Sequence, residues 1–270
     1  MKLSAADHQA LRSAGFTAVG RVFGNHVRRA AVGKLDCRIK PAPARPQERV
    51  LASALDEALH RLRSTARGAD GVIGIRVTEE QLFGRVTEIS VSGVAVRASG
   101  AVRPAKPFLS DLSGCDFAKL LHSGWVPCGL ALGVAAVTAH NHELPLSVEN
   151  TVRSRELGLH SAMFAAVQQR ARKLLGEDCA RLGGAGLLLG QSTVRMREPH
   201  CWMRRTGPTR EVPDGSMPVD PTPALGLGEV ELHGRDLYAE TILTGTAITP
   251  FRPPQTAPLM IMPLNRGGAG

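Results

Sequence analysis

The sequence predicts an α+β protein built from two tandem small domains. In each domain, a mostly antiparallel sheet packs on one long helix, and a short helix precedes the sheet. Two observations predict this architecture: the chain contains an internal repeat, and each copy has one long helical segment flanked by apolar, strand-like segments. A length of 270 residues suffices for two domains, and 43% hydrophobic with 21% charged residues is typical of globular proteins.

The repeat begins near the N-terminus and recurs 109 residues later. Seven residues are identical in one ungapped alignment, in which Leu3, Ser4, Asp7, Leu11, Gly15, Gly20 and Gly24 match Leu112, Ser113, Asp116, Leu120, Gly124, Gly129 and Gly133. The similarity resumes where 68–74 matches 184–190, and again where 88–96 matches 240–248. The repeat therefore accounts for most of the chain.

These matches divide the chain into three regions. Residues 1–108 form the first repeat, residues 109–250 form the second, and residues 251–270 form an extended C-terminal tail. The tail is rich in proline but contains the apolar segment 259–262. We expect this segment to lie along a sheet edge of its own or of a neighbouring subunit.

Each repeat opens with a short helix followed by a glycine-containing strand. In the first repeat, Ser4 and Asp7 have the spacing of an N-terminal capping box, and Gly15 predicts the end of the helix. Gly20 and Gly24 fall in the strand-like segment, where glycine marks a bulge or a close approach of two backbones. We interpret them as packing positions; ligand access is the alternative.

The long helix of the first repeat has apolar residues at a period of about 3.6 positions. They are Leu51, Leu55, Ala58, Leu59, Leu62 and Ala66. This stripe needs a sheet to bury against, and strand segments follow at 71–77 and 87–97. The second repeat has a longer helix, roughly 152–182, and an insertion at about 197–232 with six prolines. The insertion predicts either a surface loop without regular structure or an arm that contacts a protein partner.

The net charge of +9 lies entirely in the first repeat, where 18 Lys plus Arg face 9 Asp plus Glu. Eight of these cations lie close together in sequence: Arg21, Arg28, Arg29, Lys34, Arg38, Lys40, Arg45 and Arg49. They form either a solvated basic face or a patch for an acidic partner. With only 4% aromatic residues the chain has little to stack bases on, so we do not expect nucleic-acid binding.

The cysteines predict a cytoplasmic protein. The five of them, Cys37, Cys115, Cys128, Cys179 and Cys201, are scattered and form no C-x-x-C pair, which suits reduced thiols. The N-terminus lacks the basic and apolar segments of a signal peptide. The most apolar stretch, 126–139, is too short to span a bilayer.

Three segments of the first repeat, 54–62, 68–75 and 92–96, resemble the YbjQ family, which is labelled putative heavy-metal-binding domain. A helix ending in Gly-Ala-Asp, a Val-Ile-Gly strand and a Ser-Gly-x-Ala-Val strand follow one another in that family's order. The second repeat is similar more loosely, with Gly186 where the family has Asp. The resemblance implies a small domain of one helix on a mostly antiparallel sheet, assembling into a five-membered ring.

The family label supplies no metal ligand that can be matched to a position here. The local candidates are His140 and His142, two residues apart on one strand face, with His200 and Cys201 at the edge of the insertion. A zinc site needs three or four converging ligands, and a solvent-exposed histidine pair is the other interpretation. The metal ligands and any cofactor are therefore unassigned.

The sequence contains no catalytic motif, and we assign no catalytic or cofactor-binding residue. Asp70 follows the long helix and is interpreted as a capping or turn residue. We therefore predict a non-enzymatic oligomeric assembly or interaction protein; the alternative is a metal- or small-ligand-binding protein. Because five is odd, a five-membered ring cannot contain both domains of every chain. The sequence thus predicts a homo-pentamer of two stacked rings, one of first repeats and one of second repeats.

Overall fold

The computed structural model describes residues 3–29, 40–83, 86–100, 103–141, 158–197, 200–204 and 231–251. The first half, up to residue 100, contains α1 (Ala5–Ser13), β1 (Phe16–Arg29), β2 (Ala42–Pro43), α2 (Arg45–Thr65), β3 (Gly71–Phe83) and β4 (Val86–Ala98). The second half, from residue 103, contains β5 (Phe108–Leu109), α3 (Gly114–His122), β6 (Trp125–Asn141), α4 (Gly158–Arg181), β7 (Gly186–Arg197), β8 (His200–Arg204) and β9 (Glu231–Pro250). The predicted α+β class is confirmed.

The two halves form sheets with the same order of strands. In the first sheet, β4 lies between β1 and β3 with antiparallel pairing, and the short β5 adds in parallel to the edge of β3. In the second sheet, β9 lies between β6 and β7, and the short β2 adds to the edge of β6. Each half therefore contributes one short strand to the sheet of the other half.

The short helices begin and end as predicted. The Ser4 hydroxyl accepts a hydrogen bond from the Asp7 N–H at 3.1 Å, and the Asp7 carboxylate accepts one from the Ser4 N–H at 3.1 Å. Ser113 caps α3 by accepting a bond from the N–H three residues later. Gly15 and Gly124 follow the two helices with φ of +77° and +80°, which strains any residue with a Cβ.

Helix α2 is buried between the two sheets. Its apolar stripe shares one hydrophobic cluster with residues of the first sheet and with Leu130, Val134 and Ile242 of the second. The intervening residues of β6, including Ala131 and Ala135, lie in a separate cluster with α4. The layers therefore follow the order α4, second sheet, α2, first sheet.

Helix α3 of the second half completes a core that belongs mainly to the first half. The Phe117 ring of α3 stacks on Phe108, with centroids 5.3 Å apart, and meets Phe16 edge-on at 5.2 Å. The same cluster includes Leu11 of α1 and Ile73 of β3, both fully buried. The outer face of the first sheet is thus covered at this end by elements from both halves.

The repeated glycines lie at two kinds of position. Gly20 and Gly129 lie at a β-bulge that interrupts the register at the same place in β1 and β6. A Cβ added at Gly24 would collide with the backbone of α2, and one added at Gly133 would collide with the carbonyl oxygen of Ala171 in α4. The packing interpretation is confirmed for Gly24 and Gly133, where each sheet touches its helix, but not for Gly20, since a Cβ there would meet nothing within 4 Å.

The structure differs from the sequence prediction at the strand ends and in the insertion. Strands β1 and β6 run well past the glycine-containing segments, since their far ends continue to pair with β4 and β9. The prediction of an insertion without regular structure is wrong at its start, where β8 pairs with the beginning of β9. The prolines of the insertion prevent strand pairing only at their own positions, and the segment that forms β8 contains no proline. Residues 205–230, 252–270 and the start of the predicted long helix lie outside the described residues.

The close approach at glycine predicts the effect of substituting it. Gly133→Ala should lower the free energy of unfolding by about 1–3 kcal/mol, because α4 must move away from β6 to admit the methyl group. Gly176→Ala is the matched control, since nothing lies near its Cβ position on α4 and alanine should stabilise the helix by about 0.5–1 kcal/mol. Urea denaturation measures both variants. Equal stability of wild type and Gly133→Ala would contradict the packing argument.

Candidate functional site

The contact between the two halves contains most of the buried charge that the structure describes. We call its five charged side chains the ion cluster: Arg28 of β1, Glu79 of β3, Arg195 and Arg197 of β7, and Glu240 of β9. Arg28 donates hydrogen bonds to Glu79 at 3.0 Å and to Glu240 at 3.3 Å. Arg197 donates to Glu240 at 3.2 Å, and Arg195 lies 3.6 Å from Glu79. The cluster therefore joins the first sheet to the second.

Arg28 and the adjacent Tyr238 keep their protons at neutral pH. Burial disfavours the charged form of Arg28, but the carboxylates of Glu240 and Glu79 outweigh burial and raise the pKa of Arg28. Burial also raises the pKa of Tyr238 far above its usual value, and the neighbouring Glu240 charge adds to this shift. The Tyr238 hydroxyl consequently remains a donor, and it donates to Glu240 at 2.9 Å. These two donors hold Glu240 in place and offer no proton for exchange near neutrality.

A second ion pair closes the edge of β6. Arg170 of α4 donates two hydrogen bonds to Glu48 of α2, at 2.6 and 2.7 Å, and these bonds raise the pKa of Arg170. Glu48 also accepts a hydrogen bond from the backbone N–H of Ala136 at 3.4 Å. One carboxylate therefore links the helices on opposite faces of the second sheet around its edge.

The segment that joins the halves is held by hydroxyl groups of β9. Asp111 accepts hydrogen bonds from Thr244 at 2.7 Å and from Thr246 at 2.6 Å. Ser110 lies within hydrogen-bond distance of Thr246, at 2.9 Å. Asp70, predicted to be a turn residue, accepts a bond from a backbone N–H of β4 at 2.7 Å, which confirms that prediction. The carboxylates of this region are therefore engaged in structural hydrogen bonds.

The predicted metal candidates do not assemble in the described part of the chain. His140 lies in β6 opposite Asp236 and is only 3% exposed, so the solvent-exposed interpretation is wrong for this residue. His142 lies outside the described residues. The backbones of His200 and Cys201 lie in β8, but their side chains are not described. Among the side chains that are described, no three His, Cys, Asp or Glu residues form a group that could hold a metal ion.

The basic segment of the first half is not one continuous surface. The prediction that Arg28 belongs to a solvated or partner-binding face is wrong, because Arg28 is 7% exposed and bound inside the ion cluster. Its neighbours Arg21 and Arg29 are exposed. The strand pattern could have identified Arg28, because it lies on the same face as Val22 and Gly24, which pack against α2. Its carboxylate partners could not have been identified, because they are distant in sequence.

The ion cluster predicts a large effect for loss of one carboxylate charge. Glu240→Gln should lower the free energy of unfolding by about 3–5 kcal/mol, because it leaves the buried guanidinium of Arg28 and the half-buried guanidinium of Arg197 short of negative charge. Glu57→Gln is the control: Glu57 pairs with Arg61 on the exposed face of α2 and should cost at most about 1 kcal/mol. Chemical denaturation measures both. Equal losses for the two variants would refute the importance of the ion cluster.

No helix in the described part of the chain is long and apolar enough to cross a membrane. A search of curated proteins finds no match to this chain. A scan against family models matches residues 14–99 to the YbjQ model, whose description is putative heavy-metal-binding. The matched residues run from the end of α1 through β1, α2, β3 and β4, whereas the second half lies outside them. Residues 14–99 are therefore similar to the YbjQ family.

Proposed function

We propose that this chain is a non-enzymatic protein that functions through homo-oligomeric assembly. The observation that carries the proposal is a difference in exposure between equivalent faces of the two sheets. The β6 face that carries Leu130 and Val134 is buried under α2. The equivalent β1 face of the first sheet is open to solvent, and Phe23 on it is 67% exposed.

The exposed β1 face carries a row of three apolar side chains, Val19, Phe23 and Val27, each more than half exposed. We call this row the β1 stripe. Large apolar side chains that are grouped on an exposed sheet face are typical of protein interaction sites. Arg21 and Asn25 lie between the apolar residues of the β1 stripe. The surface therefore suits a protein contact that is more polar than the contact between α2 and β6.

The contact between the halves also supports assembly. It is heterologous, because a helix of the first half covers a sheet of the second half and the two contributing surfaces differ. Heterologous contacts generate rings when their rotation closes. A chain that already contains one such contact, and leaves an equivalent sheet face open, has the surfaces for further contacts of the same kind.

The polar groups of the described residues support a structural function. The buried carboxylates Glu79 and Glu240 and the half-buried Glu48 and Asp111 all accept hydrogen bonds that join elements of the fold. We propose no catalytic residue and place the protein in the cytoplasm, as its cysteines predict. The Pro-rich insertion lies largely outside the described residues and remains a candidate contact for a protein partner.

The assembly proposal predicts the mass of the native particle. Native mass spectrometry of the untagged chain should give one species whose mass is a multiple of 28.7 kDa. Two stacked five-membered rings would contain five chains, about 144 kDa in total. A particle of 28.7 kDa would contradict assembly. An oligomer whose chain count is not a multiple of five would contradict the stacked rings alone.

The second candidate function is metal binding, favoured by the description of the family that matches residues 14–99. Elemental analysis of protein purified without an affinity tag tests it. We expect no metal at one ion per chain, because His140, the candidate whose side chain is described, does not lie in a group of three ligands among the residues that the structure describes. Stoichiometric metal that His140→Ala removes, without changing the native mass, would favour this alternative over assembly alone.

A further inference from the structure

We propose that α4 and the edge of β7 of each chain bind the first half of a second copy of the chain, with α4 over the β1 stripe of that copy. The inference rests on the proposed assembly function and identifies the two surfaces that would perform it. The contact within the chain joins one surface of the first half to a different surface of the second half. Each chain carries both kinds of surface a second time, uncovered.

The two halves can be aligned residue by residue from their geometry. The β-bulges at Gly20 and Gly129 lie at the same point of β1 and β6, and Gly24 and Gly133 are the positions where each strand touches its helix. All are separated by 109 residues, so Phe23 corresponds to Leu132. Leu132 packs against the cluster under α2, whereas Phe23 is exposed.

Helix α4 occupies the place on its sheet that α2 occupies on the first, but it has Gln168 and Arg172 where α2 has Leu55 and Leu59. Gly24 approaches Ala58 of α2, and Gly133 approaches Ala171 of α4, so the two helices align with a separation of 113 residues. Leu51 of α2 therefore corresponds to Phe164 of α4. Leu51 is fully buried in the cluster that joins the halves, whereas Phe164 is 49% exposed.

The edge of β7 provides the second uncovered surface. At the equivalent edge of β3, the Gly74 N–H donates to the Leu112 carbonyl at 2.8 Å, and the joining segment also adds β5. In the described part of the second sheet, no strand pairs with the outer edge of β7. By its register with the central strand, Leu189 of β7 corresponds to Gly74, one residue away from the match of Gly74 with Gly190 in the sequence alignment, and it is 69% exposed. Among the described residues, this apolar edge is therefore open in the second half and covered in the first.

A second copy of the chain fits both surfaces at once. Within the chain, α2 covers the β6 face, and the joining segment covers the edge of β3. The uncovered surfaces are the equivalent β1 face, helix α4 and the edge of β7. The sheet face is on the first half, and the helix and strand edge are on the second half, so one chain can bind the next head to tail. The contact between neighbouring chains would then resemble the contact between the two halves of one chain. It places both halves of each chain in one ring, unlike the two stacked rings that the sequence predicts.

Two variants block opposite ends of this contact. Phe23→Glu places a charge on the β1 stripe, and Leu189→Glu places one on the β7 edge. Both side chains are more than two-thirds exposed, so the fold should tolerate the change. Val50→Glu is the control, because Val50 is 42% exposed on α2 but belongs to neither surface. Circular dichroism and the Tm establish folding, and serine replaces glutamate at any position where the charge unfolds the chain.

Native mass spectrometry then separates the outcomes. Each variant alone should give the single-chain mass of 28.7 kDa, while Val50→Glu keeps the wild-type mass. Mixing Phe23→Glu with Leu189→Glu should give a particle of two chains, about 57 kDa, because one intact contact remains and cannot continue. If the wild type is an oligomer and both variants keep its mass, the β1 stripe and the β7 edge do not form the contact, but the proposal of assembly is retained. If the wild type is a single chain, assembly itself fails.

Discussion

The burial of one helix between two sheets is the interaction on which the rest of the structure depends. Helix α2 belongs to the first half by sequence, yet its apolar residues form one core with both sheets. Separating the halves would therefore expose that core to water. Gly24 sets how closely α2 approaches the first sheet, and the ion cluster sets how the sheets align. The buried charges fit this task, since removing one partner of a buried ion pair is costly even where the pair itself adds little net stability.

The elements of the fold are predictable from the sequence, but their partners are not. Capping residues and helix-ending glycines act locally, so Ser4 and Gly15 are identifiable without tertiary information. Periodicity identifies the buried side of α2 but not that two sheets cover it. The width of the apolar side of α2 does indicate that the helix is covered by more than one sheet. Helix α2 buries neighbouring pairs, Ala54 with Leu55 and Ala58 with Leu59, whereas α4 buries a narrow row of single residues at every fourth position.

The candidate site is the part least accessible from sequence. Arg28 binds carboxylates 51 and 212 residues away, so no local pattern reveals which groups would neutralise it. His140 stands out in the sequence for its chemistry, yet it lies on the face of β6 that α2 covers further along the strand. A residue type suggests a chemistry, whereas the fold decides whether its partners are present.

The exchange of short strands between the halves has a consequence for how the chain is made. Synthesis proceeds from the N-terminus, and domains generally begin to fold as they emerge from the ribosome. The first sheet here acquires β5 and Phe117 only after the second half has begun to emerge, so Ile73 and Leu11 lack their cover until then. The second sheet in turn requires β2, which is made long before it. Neither half can reach its final packing alone, and the chain must mature as one cooperative unit.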